Sequence, residues 1–178
     1  LNEIVKYLPK ERQTFLFSAT IQGQTQKIAK KYLRNPVMIK VGDTSKPINK
    51  IKQSNVMSEH KHKLDTLMDE INARKGTVLV FMKTRRGVEK MFKDLNSYGY
   101  KLARIHGDRT QRQRDMAIKD FKTEKVRILV ATDVAARGVD IPKIEVVINY
   151  DPPQAPDDYI HRIGRTARAG EEGEALNI

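Results

Sequence analysis

The chain has 178 residues, 39% of them hydrophobic, and a formal net charge of +12, so it can bury a core and favours an anionic partner. No apolar run approaches the length of a membrane-spanning helix, and residues 1–7 lack a secretory leader, so the expectation is an intracellular protein, cytoplasmic or nuclear, neither secreted nor membrane-bound. The absence of cysteine excludes a disulfide framework and a thiolate metal site, and no metal is expected on this chain.

In chain order, residues 1–45 read as a unit of their own. Residues 13–18 look like a strand, 25–33 like a basic helix and 37–41 like a second strand. Residues 42–49, with Gly42, Asp43, Thr44, Ser45 and Pro47, have the composition of a linker. Two strands and a helix bury little alone, so the expectation is the tail of a domain whose body lies elsewhere, its strand edges waiting for a sheet. Residues 46–178 then form a second domain, closing at 174–178 on what reads as a strand cut short.

Within 46–178, amphipathic stretches alternate with short apolar runs. Leu64, Leu67, Met68 and Ile71 have helical spacing, as do Val88, Met91, Phe92 and Leu95. So do Met116, Ala117, Ile118 and Phe121, behind a potential cap at Thr110. Residues 77–81, 127–131 and 145–150 are nearly continuous hydrophobic runs, the pattern of parallel strands buried on both faces, and 102–105 is a shorter one. Strand alternating with helix predicts an α/β fold, a doubly wound parallel sheet with helices on both faces.

Ligand sites in such sheets lie beyond the carboxyl ends of the strands. Five segments fall there or carry unusual charge. Ser18-Ala19-Thr20 follows the first run. Phe81-Met82-Lys83-Thr84-Arg85-Arg86 joins a strand to a helix. His106-Gly107-Asp108 precedes a helix bearing Gln111 and Arg114 one turn apart. Thr132 and Asp133 end another strand, followed by the Gly138 turn with Arg137 and Asp140 on either side. Each has a plain alternative; Asp133 could cap a short helix while Arg137 pairs with an acid.

The fifth segment, 161–169, packs His161, Arg162, Arg165 and Arg168 among small residues. On a helix His161, Arg165 and Arg168 would share a face, with Arg162 about a quarter-turn aside, open to a phosphate that fits the guanidinium fork. A solvated basic helix end is the plain alternative. Residues 83–127 hold 14 basic and six acidic side chains, while aromatics are only 6% and tryptophan is absent. Contact with a nucleic-acid backbone therefore suits the composition better than base stacking.

Taken in order, these segments resemble the DEAD-box RNA helicases. Ser18-Ala19-Thr20 is similar to the motif closing that family's first RecA-like domain; Phe81 to Arg85, Gln111 to Arg114, Ala131 to Ile141 and His161 to Arg168 are similar to successive motifs of its second. The resemblance covers nearly the whole chain and implies a RecA-like fold. It makes 1–45 the C-terminal end of the first, ATP-binding domain and 46–178 the second, helicase C-terminal domain. The family's phosphate loop and its Asp-Glu-Ala-Asp motif are absent and would belong to the first domain.

The resemblance also implies roles. Arg165 and Arg168 would be arginine fingers on the γ-phosphate, with His161 reaching across the cleft, and Asp140 beside Gly138 would contact the ATP ribose. Thr84, Arg85, Gly107, Gln111, Arg114 and Thr132 would line an RNA backbone path. Ser18, Thr20, Asp133, Arg137 and Arg162 would couple the domains. ATP with Mg2+ is the implied cofactor, its phosphate loop and metal ligands lying on the first domain; the implied partners are RNA, held through its sugar-phosphate backbone, and that first domain. The implied activity is ATP-driven local unwinding of RNA, with this fragment inactive alone. Two other readings stay open, an inactive RNA-binding scaffold and a DNA-directed translocase of the same superfamily. One departure is Ala167, where the family usually has glycine; on a helix that change is expected to matter little.

Overall fold

The computed structural model describes residues 1–18, 23–39, 50–139, 144–167 and 172–178. The chain divides into two compact units, Leu1–Lys46 and Pro47–Ile178.

In the first unit, helices α1 (Asn2–Lys6) and α2 (Gly23–Tyr32) are joined through Asn2, whose side-chain oxygen accepts from Lys31 Nζ at 2.7 Å and from the Tyr32 hydroxyl. The expected strands do not form; residues 13–18 and 37–39 are irregular. A strand needs a neighbour for its amides and carbonyls, and the described residues of this unit supply none. The apolar side chains stay outside, Phe17 at 89% and Val37 at 88% exposure, and Phe15 and Phe17 stack on each other with ring centroids 6.3 Å apart. Lys40, Val41 and the linker segment 42–49 lie outside the described residues, as do Ala19 and Thr20.

The second unit alternates as its sequence predicts. Strands β1 (Ile51–Asn55), β2 (Val78–Met82), β3 (Leu102–Ile105), β4 (Ile128–Thr132), β5 (Val146–Asn149) and β6 (Gly173–Asn177) form one all-parallel sheet in the order β1-β6-β5-β2-β4-β3. Central β2 pairs with both β4 and β5, Val78 lying opposite Ile128 and Val146. A 3-10 turn (His60–His62) leads into α3 (Lys63–Asn72); α4 (Arg85–Ser97), α5 (Gln111–Lys122), α6 (Asp133–Ala136) and α7 (Pro156–Ile163) connect or follow the strands.

Alternate side chains of each strand reach opposite faces. Val78, Val80 and Met82 pack with Leu67 and Ile71 of α3 and Val88, Met91 and Leu95 of α4. Leu79 and Phe81 pack with Phe121 of α5 and Ala135 and Ala136 of α6. Ile163 of α7 closes on Ile51 and Ala175. Both faces are thus covered, which is why the central strands β2, β4 and β5 are buried along their whole length. β1 escaped the sequence reading because it is a polar edge strand whose only buried residue is Ile51.

The helix starts follow local chemistry. Thr84 Oγ1 accepts from the Gly87 amide at 2.9 Å, which starts α4. Thr110 and Gln113 form a reciprocal capping box, each side chain accepting the other's amide at 3.3 and 3.1 Å, which starts α5. Pro156, Asp157 and Asp158 in the first turn of α7 suit its missing donors and positive dipole end.

Candidate functional site

Because every strand is parallel, all carboxyl ends meet along one sheet edge, and described residues of the four segments singled out in the second unit gather there. Its hub is Arg162. The side chain is 2% exposed, yet every arm of the guanidinium is satisfied. Nε and Nη2 donate to the two Asp133 carboxylate oxygens at 2.6 and 2.7 Å, and Nη1 donates to Asn149 Oδ1 at 3.0 Å and the Asp151 carbonyl at 2.6 Å. Its plane lies over Phe81, 4.9 Å from the ring centroid. Burying a charge costs several kcal/mol unless it is paired and bonded in full, and the bidentate fork meets that condition. Arg162 thereby ties the ends of β4 and β5 to α7.

Around this hub, Arg137, Asp158, His161 and Arg165 line a shallow depression. Arg137 pairs with Asp158, the acid partner that the plain reading allowed for. Arg165 Nη1 donates to the Val139 carbonyl at 2.8 Å. Gly138 has φ +71°, a left-handed turn that suits glycine. Asp133 is the first residue of the short helix α6 but does not cap it: the cap position is Thr132, and the Asp133 carboxylate is taken by Arg162, so only the Arg137 half of the plain alternative describes a real contact.

The expected helical face through 161–168 is corrected. Helix α7 ends at Ile163 with Gly164 as its cap, so Arg165 lies in the following turn and does not share a helical face with His161. The chain turns because Thr166 is drawn inward, its hydroxyl donating to the Ile144 and Glu145 carbonyls, and because Ala167 has φ +52°. Ala167 is therefore not the mild helical change expected from sequence; it holds a left-handed conformation in which a Cβ is strained.

A second group sits at the ends of β2, β3 and β4. Thr84 and Arg85 are exposed at the start of α4, and Arg85 pairs with Asp108. Gly107 is exposed between them. Gln111 donates to Asp115 at 2.7 Å, and Arg114 reaches the Ala135 carbonyl at 3.3 Å. Arg114 also carries a buried Nε with no partner among the described residues. Thr132 is 8% exposed at the end of β4. Asp140, Arg168 and Thr20 lie outside the described residues; Ser18 is described, in the first unit.

Sequence reasoning missed the supporting polar residues Asn149, Asp151, Asp158 and Glu89. Asn149 ending an apolar run was the available signal. Lys83 N–H donates to Asp151 Oδ2 at 2.7 Å, linking the β2 and β5 ends a second time. Burial would raise the Glu89 carboxyl, but hydrogen bonds from His106 and Arg104 and the Arg104 charge outweigh that and hold it below its ordinary range. Among the described residues, no cluster of His, Asp or Glu could hold a metal ion and no helix is long and apolar enough to cross a membrane.

An all-parallel sheet covered on both faces, with arginines and carboxylates along its carboxyl edge, is an α/β domain of the RecA-like class. The model for the helicase conserved C-terminal domain matches residues 59–170, and the chain belongs to that family, among the DEAD-box proteins. DEAD-box ATP-dependent RNA helicase CshA of Bacillus licheniformis is 40% identical over the whole chain, which covers 37% of that protein. Dbp5 of Saccharomyces cerevisiae, solved bound to RNA and ADP BeF3, superposes with a TM-score of 0.87 at 32% identity, over 98% of this chain and 46% of that one. The Escherichia coli DEAD-box protein SrmB, solved with RraA, is 37% identical with a TM-score of 0.66, over 71% of this chain and 75% of that one. The chain thus spans well under half the length of CshA.

Proposed function

We propose that this chain is the C-terminal half of an ATP-dependent RNA helicase, an ATP hydrolase that couples nucleotide turnover to local unwinding of RNA. Residues 1–45 are then the end of a first RecA-like domain and 46–178 the second. The observation that carries the reading is the Arg162 hub: it fixes the α7 end so that His161 and Arg165 border one depression with Arg137.

In this reading ATP lies between the two domains. Arg165, with Arg168, stabilises charge developing on the γ-phosphate, His161 bonds across the cleft, and Asp140 beside the Gly138 turn meets the ribose. Mg2+ would neutralise phosphate charge when bound, held on the first domain. Thr84, Arg85, Gly107, Gln111, Arg114 and Thr132 hold the RNA backbone, while Ser18, Thr20, Asp133, Arg137 and Arg162 couple the domains. ATP and RNA each favour the closed arrangement because each touches both domains, and hydrolysis lets them part. The basic excess in 83–127 and the low aromatic content support backbone contact.

The test is RNA-stimulated ATPase of the intact protein. Arg165→Ala should lower kcat by about 10³ with ATP binding largely kept, and Arg165→Lys should rescue poorly because an ammonium lacks the planar fork. Near-normal kcat in Arg165→Ala would remove the finger role.

A further inference from the structure

Outside the residues assigned to ATP and RNA, buried His106 and half-buried Arg104 and Glu89 form a polar cluster between β3 and α4. His106 is 3% exposed, and both its ring nitrogens are engaged. Nδ1 accepts the Asp108 amide at 3.3 Å, so the proton lies on Nε2, which donates to Glu89 Oε1 at 2.7 Å. Arg104, two residues earlier and on the same side of the chain, donates its Nε to the same oxygen at 2.7 Å and stacks 3.7 Å from the Phe92 ring centroid. Glu89 therefore sits on α4 between two fixed donors from the β3 segment.

With Glu89 35% exposed, its pairs with Arg104 and His106 are partly screened and contribute little to net stability. What a fully bonded polar cluster adds is geometry. Glu89 lies one helical turn after Arg85, and His106 directly precedes Gly107. Arg85 also pairs with Asp108, so the start of α4 and the 106–108 turn are linked on both sides of Gly107. Gly107 is not demanded by the fold: an added Cβ would meet only Arg85 Cδ, at an ordinary 3.6 Å, and its φ is not left-handed. Its bare backbone faces outward.

We infer that Glu89 and His106 form a positioning clamp that fixes the 106–108 turn against α4, so that Thr84, Arg85 and the Gly107 backbone meet successive parts of one RNA backbone at a set spacing. The inference rests on the proposal that these three touch RNA. Neither clamp residue contacts the strand; both act through the elements they join.

The clamp predicts a split in kinetics that a merely structural pair would not give. The probe is a short oligouridine strand, followed by RNA-stimulated ATPase and by binding anisotropy with the intact protein. His106→Asn keeps the acceptor for the Asp108 amide and loses the donor to Glu89. It should raise the RNA concentration at half-saturation by about tenfold, the worth of one charged hydrogen bond. The KM for ATP should stay within about twofold. His106→Gln, which carries a donor out to Glu89, should recover most of the loss. Glu89→Ala should match His106→Asn, and the double variant should be no worse than either, because the pair acts as one unit. If His106→Asn does not fold, Glu89→Ala and Glu89→Gln carry the same comparison, the glutamine keeping an acceptor for His106. A lower melting temperature with RNA half-saturation unchanged in these variants would overturn the clamp. Arg85→Ala separates the two ideas. If it leaves RNA half-saturation unchanged, the proposed RNA path fails; if it weakens RNA while the His106 and Glu89 variants do not, the clamp alone fails.

Discussion

Phe17 and Phe81 both sit in runs that read as strands from the sequence, yet one is 89% exposed and the other 1%. Residues 13–18 remain irregular in the first unit, whereas Val78–Met82 is the central strand of a six-stranded sheet in the second. An apolar run becomes a strand only where neighbouring strands take up its amides and carbonyls and helices cover its faces. β2 has β4 and β5 beside it and α3, α4, α5 and α6 over it; the runs of the first unit have no such company among the described residues. Part of the difference is composition, since Gln13, Thr14 and Ser18 flank the three apolar residues of 13–18; the rest is context.

The sharpest way to break that comparison is to truncate both phenylalanines in this chain and follow urea unfolding. Phe81→Ala should cost about 3–5 kcal/mol, since it opens a cavity in a close-packed face and removes the ring under Arg162. Phe17→Ala should cost less than about 0.5 kcal/mol, the usual range for a surface position. Comparable losses would mean that residues 13–18 are buried in solution and that the contrast is false.

A smaller effect is expected at Ala167, where the second unit tolerates a backbone its side chain disfavours. Ala167→Gly relieves the left-handed strain at φ +52° and should raise stability by up to about 1 kcal/mol, offset in part by the freedom glycine gains in the unfolded chain. A clear loss of stability in thermal melts would show that the Ala167 Cβ contributes more by packing beside Ile163 and Ala175 than its backbone costs.

The smallest effect concerns pH and confines itself to the second unit. The Glu89 carboxyl is held below its ordinary value of 4.5 in the folded chain, so its contribution to stability is present above that value and is lost as pH falls through the lowered one. Glu89→Gln should therefore flatten the acid limb of the stability profile below about pH 4.5 and leave the neutral plateau's slope unaltered. Parallel acid limbs in the two proteins would mean that Arg104 and His106 do not favour the charged carboxylate.

Much of the architecture was legible along the chain. The buried runs at β2, β4 and β5 announce parallel strands because such strands are covered on both faces, and the Thr110 cap marks where α5 begins because its hydroxyl accepts a free amide of the first turn; the Thr84 cap of α4 was not read from the sequence. The positions of the candidate site followed from the same pattern, since strand-to-helix junctions of a parallel sheet share one edge. Arg162 was legible as a charged residue but not as a buried one. Its hub needs Asp133 from 29 residues away together with Asn149 and Asp151, and no local pattern reports which strand ends become neighbours. The same holds for Arg165 and Ala167. The spacing of 161–168 fits a helical face, but the inward pull of Thr166 onto the Ile144 carbonyl stops the helix at Ile163 and turns the chain there. Periodicity records what a segment can form by itself. Which contacts compete with that preference, and win, depends on the sheet order β1-β6-β5-β2-β4-β3, because it alone brings distant donors and acceptors within bonding distance.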